Sequence, residues 1–359
     1  MIDSPEQEEI SWPELTSLLV QRRDLSAEQT GWGMDQVMTG NASPVQLAGF
    51  LAALATKGET TQEVRGLADS MLAHARPIEV SQDALDIVGT GGDRARTVNI
   101  SSMASLVLAG AGVPVVKHGN RASSSASGSA DFIEALGVDL TLPIEAVVRS
   151  LDEVGITFLF ANLFHPSMRH AATARRELGI GTVFNVLGPL TNPARPRANA
   201  IGVSSAHHAP LVAGVLAERG NSALVFRGQS NGLDELTTTS LNDVWLVEDG
   251  TVTYQQFDAT ALGLRPSTVA DLRGADPRHN AQVGREVLSG RKTGAVTDTV
   301  LLNAAAGILA FGVDGTREGR LLDRMAAALD IARSSLHEGH TQSVVDRWIQ
   351  FSQENSKKR

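Results

Sequence analysis

Cysteine is absent from all 359 residues, which excludes disulfides, thiolate metal sites and cysteine nucleophiles and fits a reducing compartment. Positive charge is also in deficit. Lys and Arg number 31 against 40 Asp and Glu, a formal charge of -9 that weighs against broad binding to nucleic acid or anionic membranes, although it leaves room for a local basic pocket. No apolar run approaches the roughly 20 residues that a membrane-spanning helix needs. The opening MIDSPEQEEI is acidic and polar where a secretory signal has a basic start and an apolar core, so the expected location is the cytoplasm. Tyrosine occurs once, whereas glycine occurs 34 times, which implies many turns and close backbone approaches.

What is present is ordinary globular material, with 42% hydrophobic and 20% charged residues. Its length exceeds one ordinary core and suits two domains. From Ser11 to about Ala75 the pattern is helical and repeatedly capped, by Ser11 before Trp12-Pro13, by Ser26 with Gln29, and by Ser43 with Gln46. Leu15, Leu18 and Leu19, then Met34, Val37 and Met38, then Leu47, Phe50, Leu51 and Leu54 keep helical spacing, and Thr61 opens a further helix. About four helices result, with their Met and Trp residues read as core.

The pattern then changes. Short apolar runs at 84–88, 113–116, 156–160, 200–203, 223–226 and 243–247 read as strands, with a hairpin near Asp249-Gly250. Helical stretches at 103–111, 130–136, 144–154, 296–311, 317–336 and 342–351 alternate with them. This predicts a large α/β domain with a central, mostly parallel sheet flanked by helices, plus a small all-α N-terminal domain. The expected division is 1–80 for the helical domain, with helices near 165–190 also able to pack on it, and 81–359 for the α/β catalytic domain.

Two segments have the composition of an anion pocket. Gly89-Thr90-Gly91-Gly92-Asp93 follows a predicted strand, where glycines let successive N–H groups converge on an anion. Its spacing is neither that of a dinucleotide fingerprint nor that of a P-loop. Asn99, Ile100, Ser101 and Ser102 then open a helix whose N-terminus favours phosphate. Lys117, His118, Gly119, Asn120 and Arg121 follow the next strand, and Ser123, Ser124, Ser125, Ser127 and Ser129 follow them as a hydroxyl-rich lid. Basic residues recur at Arg169, Arg175 and Arg176 on a predicted helix, where surface ion pairing and ligand binding are equally open readings. Residues 188–193, GPLTNP, are turn-rich and suit a connector as well as a substrate contact. Asp234-Glu235, with no His or Cys alongside, is an acidic turn taken alone, and beside a phosphate pocket it suits Mg²⁺.

In this order GTGGD, NISS, KHGNR, SGSAD, HPSMRH, GPLTNP and DELTTT resemble the anthranilate phosphoribosyltransferases, of the nucleoside-phosphorylase-like (class III) phosphoribosyltransferase fold. The resemblance implies transfer of a phosphoribosyl group from phosphoribosyl pyrophosphate to anthranilate, in tryptophan biosynthesis. It implies a donor site of Gly89, Gly92, Asp93, Thr97, Asn99, Ile100, Ser101 and Ser102, with Lys117, His118, Gly119, Asn120, Arg121, Ala122, Ser123, Ser124, Ser125 and Ser129. Anthranilate would meet Gly89, Asn120 and Arg175, with His118 and Pro189 near its ring. Two Mg²⁺ ions would be held by Ser101, Asp234 and Glu235, and a homodimer would form through exposed Leu and Met faces of the helical domain. No dedicated acid or base is implied, because the aromatic amine is already uncharged and the leaving diphosphate is what needs stabilising.

Departures from the family pattern are few. Arg94 stands where Gly is usual after GTGGD, Ser102 replaces Thr, Ala126 replaces a frequent Lys, and Asn162 follows FLFA where Pro or Gln is common. Two rivals differ in what they require. A pyrimidine nucleoside phosphorylase would carry a KMSGR-like segment in place of KHGNR, and a non-catalytic nucleic-acid-binding relative would need a basic groove and could lose Asp234-Glu235.

Overall fold

The computed structural model describes residues 10–122 and 126–356. The chain divides into two compact units, 1–75 with 165–187, and 76–164 with 188–359.

The first unit opens with α1 (Trp12–Val20), α2 (Ala27–Met38), α3 (Pro44–Lys57) and α4 (Thr61–Ala73). Reciprocal capping boxes start three of them, Ser26 with Gln29, Ser43 with Gln46 and Thr60 with Glu63, whereas Ser11 precedes α1 without a side-chain cap bond. Leu15, Leu19, Met34, Leu51, Leu54 and Leu67 fill the interior, and Trp12 packs edge-on against Phe50. Glu63 is buried and fully engaged, accepting from the N–H groups of Leu25 and Thr60 and pairing with Lys57 Nζ. Among the described residues no exposed leucine or methionine face is found. The helical spacing draws most of those side chains into the core, with Leu18 partly buried, and the large apolar residues left exposed among the described residues of this unit are Val20, Val45 and Ile180.

The basic stretch after His165 is not one helix. Pro166–Ala171 is a 3₁₀ turn, and the α-helix proper begins only at Ala172. With three residues per 3₁₀ turn, Arg169 does not keep the helical register of Arg175 and Arg176.

The second unit carries β1 (Leu85–Gly89), α5 (Ile100–Gly110), β2 (Val115–Gly119), α6 (Ser129–Leu136), α7 (Ile144–Val154), β3 (Ile156–Phe160) and the short α8 (Ala161–Phe164). After α9 (Ala172–Leu178) and α10 (Phe184–Leu187) of the first unit, it resumes with β4 (Ala198–Gly202), α11 (His208–Glu218), β5 (Ser222–Gly228), β6 (Asn242–Glu248) and β7 (Thr251–Phe257). It ends with α12 (Pro277–Leu288), α13 (Ala295–Phe311), α14 (Leu321–His337) and α15 (His340–Ser356). The sheet order is β3-β2-β1-β4-β5-β6-β7, parallel as far as β5 and antiparallel beyond it. No helix among the described residues is long and apolar enough to cross a membrane.

Three boundaries differ from the sequence expectation for identifiable reasons. β2 runs on through Gly119 because Lys117, His118 and Gly119 pair with Phe158, Leu159 and Phe160 of β3, so Lys117 and His118 belong to the sheet. α5 begins at Ile100, which puts Ser101 and Ser102 in its first turn. α14 begins at Leu321, because Gly315 and Gly319 hold the preceding turn at positive φ. Helices α11 and α12 were not anticipated, although Asp276 capping His279 N–H ahead of Pro277 is a legible start signal.

Helices α2 and α4 touch through Gly66, where a Cβ would fall 2.1 Å from the Ala27 carbonyl oxygen and 2.2 Å from Thr30 Oγ1. Backbone on the facing side leaves nothing that can rotate away. Gly66→Ala should therefore lower the stability of the helical unit by about 2 kcal/mol, despite alanine's better helix propensity. A urea titration in which the variant equals or exceeds the wild type would refute this packing.

Candidate functional site

The sheet fixes where a ligand can sit. Connections leave β1 toward β2 on one side, while β4 lies on the other, so the crevice at the carboxyl ends of β1 and β4 is the switch point of the parallel sheet, where such folds bind ligands. Both strands end on glycine there, Gly89 and Gly202.

The loop after β1 is held open by its own backbone. Thr90 N–H donates to Gly202 C=O at 2.9 Å, Ser204 Oγ donates to Gly91 C=O at 2.8 Å, and Gly91 and Gly92 take φ of +69° and +87°. Asp93 accepts from Ala95 N–H at 3.1 Å. Downstream, Thr97 bridges Arg273, Asn99 Nδ2 donates to Ser127 C=O at 3.1 Å, and Asn280 Nδ2 donates to Asn99 Oδ1 at 2.9 Å. Ser101 is half-buried in the first turn of α5; Ser102 is buried, and its hydroxyl has no partner among the described residues.

The loop after β2 is a second clasp. Asn120 C=O accepts from Ser129 Oγ and Ala130 N–H, and Asn120 Nδ2 reaches Asn162 Oδ1 at 3.3 Å. Asp131 Oδ2 accepts from both Ala122 N–H and Gly128 N–H at 2.9 Å, closing the loop across its neck. Arg121 is exposed, pairs with Asp131 and Glu134, and lies 5.5 Å over the Phe160 ring. Ser123, Ser124 and Ser125 lie outside the described residues.

Asp234 and Glu235 run across the ends of β1 and β4. A Cβ on Gly202 would lie 1.7 Å from the Asp234 carbonyl oxygen, so only glycine permits the crossing there, and one on Gly89 would lie 2.2 Å from Asp234 Oδ2 and displace the carboxylate. Gly91 N–H donates to Asp234 Oδ2 at 2.6 Å. Burial raises the Asp234 pKa to about 7, with Asp93 adding repulsion, and burial together with Asp234 raises that of Glu235 well above its ordinary value. Three carboxylates meet here with Lys117 as a nearby cation. That surplus of hard oxygen and negative charge fits a divalent cation such as Mg²⁺.

Lys117 approaches from below. It is buried, its Nζ donates to Ile87 C=O and lies 3.4 Å from Ser101 Oγ, and desolvation lowers its pKa. Asp86 is equally buried; Oδ1 accepts from His118 N–H at 3.2 Å and Oδ2 from Asn192 Nδ2 at 2.9 Å. Asn192 also donates to Val116 C=O at 2.7 Å, and His118 Nδ1 meets Gly188 C=O at 3.2 Å. The GPLTNP segment thereby props the second loop, a role its turn-rich composition did not reveal.

Residues 81–342 match the α/β domain of a glycosyl transferase family, and residues 13–75 match its helical bundle domain. The anthranilate phosphoribosyltransferase of Arthrobacter sp. (strain FB24) is 59% identical over 339 residues, 94% of this chain and 95% of that protein. The chain belongs to the anthranilate phosphoribosyltransferase family. The Streptomyces griseus enzyme of that name is 54% identical over 95% of each chain. Among solved structures, the Thermus thermophilus anthranilate phosphoribosyltransferase superposes with a TM-score of 0.87 at 39% identity, covering 94% of this chain and 99% of its own. The Saccharomyces cerevisiae enzyme in complex with PRPP and Mg gives 0.85 at 26% identity, covering 97% and 99%.

Arg175, which the family resemblance assigns to the acceptor, lies in the helical unit on α9. Its guanidinium sits 4.9 Å over the Phe184 ring, has no ion-pair partner among the described residues, and has its pKa lowered by desolvation. Arg169 is exposed on the preceding 3₁₀ turn and bonds Pro166 C=O. Sequence reasoning assigned no site role to Asp86, Asn192 and Asn280, which the structure places around this crevice. All three act through backbone or side-chain groups distant in sequence.

Asp86 also gives the family fold a pH dependence of definite sign. Burial raises its pKa from 3.8 to about 6, against the pull of Lys117, Asn192 and the His118 N–H. A raised carboxyl pKa contributes stability that is complete below about pH 4 and lost as pH rises through about 6. The stability advantage of wild type over Asp86→Asn should therefore shrink between pH 4 and pH 7. A difference that is flat or widens over that range in thermal melts would contradict it.

Proposed function

We propose that the crevice over β1, β2 and β4 binds phosphoribosyl pyrophosphate and that the chain transfers its phosphoribosyl group to anthranilate. The products are N-(5-phosphoribosyl)anthranilate and diphosphate, as in tryptophan biosynthesis. One observation carries this reading: the buried Asp234-Glu235 pair lies across the switch point next to the glycine loop that starts at Gly89. Such a juxtaposition suits a substrate whose diphosphate arrives with a divalent cation.

In this reading the N–H groups of the loop from Gly89 to Asp93 and the first turn of α5, with Thr97, Asn99, Ile100, Ser101 and Ser102, hold one part of the donor. The second loop, Lys117 to Ser125 with Ser129, holds the other. Lys117 is too deeply buried to be an ordinary surface contact, and it serves the crevice from beneath, through Ile87 C=O and Ser101 Oγ. Asp234, Glu235 and Ser101 are the ligands we assign to two Mg²⁺ ions. Bound Mg²⁺ supplies positive charge that offsets the charge developing on the departing diphosphate. Asn120, Gly89 and Arg175 receive anthranilate, Arg175 through the carboxylate, which its lack of an acidic partner among the described residues supports. The amine attacks the ribose C1 as the C1–O bond to diphosphate breaks, and the nitrogen then loses its extra proton to solvent or the departing diphosphate, without a dedicated base.

We further propose a cytoplasmic homodimer without nucleic-acid partners. The acidic charge of -9 supports the last point, and the exposed Val20, Val45 and Ile180 of the helical unit support burial against a second copy.

Anthranilate fluorescence decay with phosphoribosyl pyrophosphate and Mg²⁺, repeated without metal, tests the reaction directly. No metal-dependent decay by the folded protein would reject it. Asp234→Asn combined with Glu235→Gln should lower kcat/KM by about a thousandfold, mostly in kcat. Near-normal turnover would move the cation elsewhere. Arg175→Ala should raise the anthranilate KM roughly 10- to 100-fold with a smaller effect on kcat. If that KM stays put, another residue receives the carboxylate.

A further inference from the structure

Leu236 and Thr237 directly follow the carboxylate pair, and each has both its N–H and its C=O held by one buried asparagine side chain. Asn303, in the middle of α13, accepts from Leu236 N–H at 3.0 Å and donates to Leu236 C=O at 2.9 Å. It also donates to Thr299 C=O, at 2.8 Å. Asn242, at the start of β6, accepts from Thr237 N–H at 3.0 Å and donates to Thr237 C=O at 2.9 Å, and it also reaches Phe257 C=O at 3.2 Å. Both asparagines are wholly buried, as are Leu236 and Thr237.

A primary amide offers an acceptor and a donor on one edge, so it matches the N–H and C=O of a single residue as a neighbouring strand would. A strand would also impose its pleat and twist on the residues that follow. Two amides from two different elements fix consecutive peptides without doing so, which leaves the chain free to turn across β1 and β4. The upstream side is fixed separately, by the glycine approach at Gly89 and Gly202 and by Gly91 N–H on Asp234. Between these anchors the main chain of Asp234 and Glu235 has little freedom, and Gly91 N–H already holds one Asp234 carboxylate oxygen.

We infer that Asn303 and Asn242 are positioning residues that set the Asp234-Glu235 carboxylates for a divalent cation, an inference that rests on the cation reading above. Neither asparagine touches the cation or a substrate. Their effect is transmitted through the main chain of Leu236 and Thr237, as outer partners commonly tune a metal site.

The test is equilibrium Mn²⁺ binding in the presence of phosphoribosyl pyrophosphate, followed by the loss of free-ion electron paramagnetic resonance signal beyond that in the same solution without protein, since the diphosphate itself chelates Mn²⁺. It compares wild type, Asn303→Ala, Asn242→Ala and the control Asn199→Ala. Asn199 is also buried, but its amide bonds Pro196 C=O, away from the carboxylates. Asn303→Ala and Asn242→Ala should each weaken Mn²⁺ binding about tenfold and raise the Mg²⁺ needed for half-maximal rate in step, with the anthranilate KM within about twofold. Asn199→Ala should leave Mn²⁺ binding within about twofold whatever it does to the melting temperature. Where Asn303→Ala fails to fold, Asn303→Ser removes both bonds to Leu236 while its hydroxyl can still bond the Thr299 C=O, and it should give the same tenfold shift. Wild-type uptake with the clamp variants shifted no more than Asn199→Ala would overturn the clamp alone. Absence of uptake by wild type would overturn the cation reading, and the clamp with it.

Discussion

The site depends on a main-chain crossing that only glycine allows. At the carboxyl ends of β1 and β4 the peptide of Asp234 passes so close to Gly202 that a side chain there would occupy the space of the carbonyl, and the Asp234 carboxylate lies against Gly89. Parallel strands with their helical connections leave a crevice at this switch point, and most α/β folds leave it to the ligand. Here the chain itself first lays an acidic segment over the strand ends. Everything that binds afterwards does so against that segment, on loops tied to the same two strands.

Such a placement costs solvation, and the neighbouring groups show how the cost is met. Asp234 and Glu235 lose water without gaining a full complement of donors, so their protons are held more tightly than in a surface carboxylate. One cation, Lys117, is buried beneath them and is itself pushed toward neutrality by the same desolvation. Asp86 attracts Lys117 and restores part of the balance. The Asp234-Glu235 pair is left short of donors and of positive charge, which a diphosphate substrate with its metal would supply.

How much of this was legible in the sequence divides along the range of the interactions. Helix α7 and strand β3 were read to their ends because Gly155 between them takes the left-handed conformation that stops a helix. The capping boxes of α2 and α3 are equally local. The order of the glycine, basic and acidic motifs could be matched to a family. Burial of Lys117 could not be read, because it depends on β2 continuing beside β3 and on Asp86, which lies on β1. The asparagine contacts are beyond local pattern altogether. Asn192 meets Asp86 from 106 residues away, and Asn303 meets Leu236 from 67.

Arg94 shows the same division from the other side. It stands where a glycine would be expected, and the backbone there is indeed left-handed, with φ of +60° at Arg94 and +55° at Arg96. Each costs about 1–2 kcal/mol relative to a relaxed residue. Local preference would therefore unwind this loop, so its shape must be imposed by partners. Those partners are distant: Val98 N–H bonds Leu272 C=O, Gly274 N–H bonds Arg96 C=O, and Asn280 reaches Asn99. Residues 272–280 thus hold the first anion loop from outside. The side chains of Arg94 and Arg96 stay exposed and without ion-pair partners among the described residues. A loop held this way can carry an arginine at a glycine position, because the torsion is set by the bonds on either side and not by the residue that adopts it.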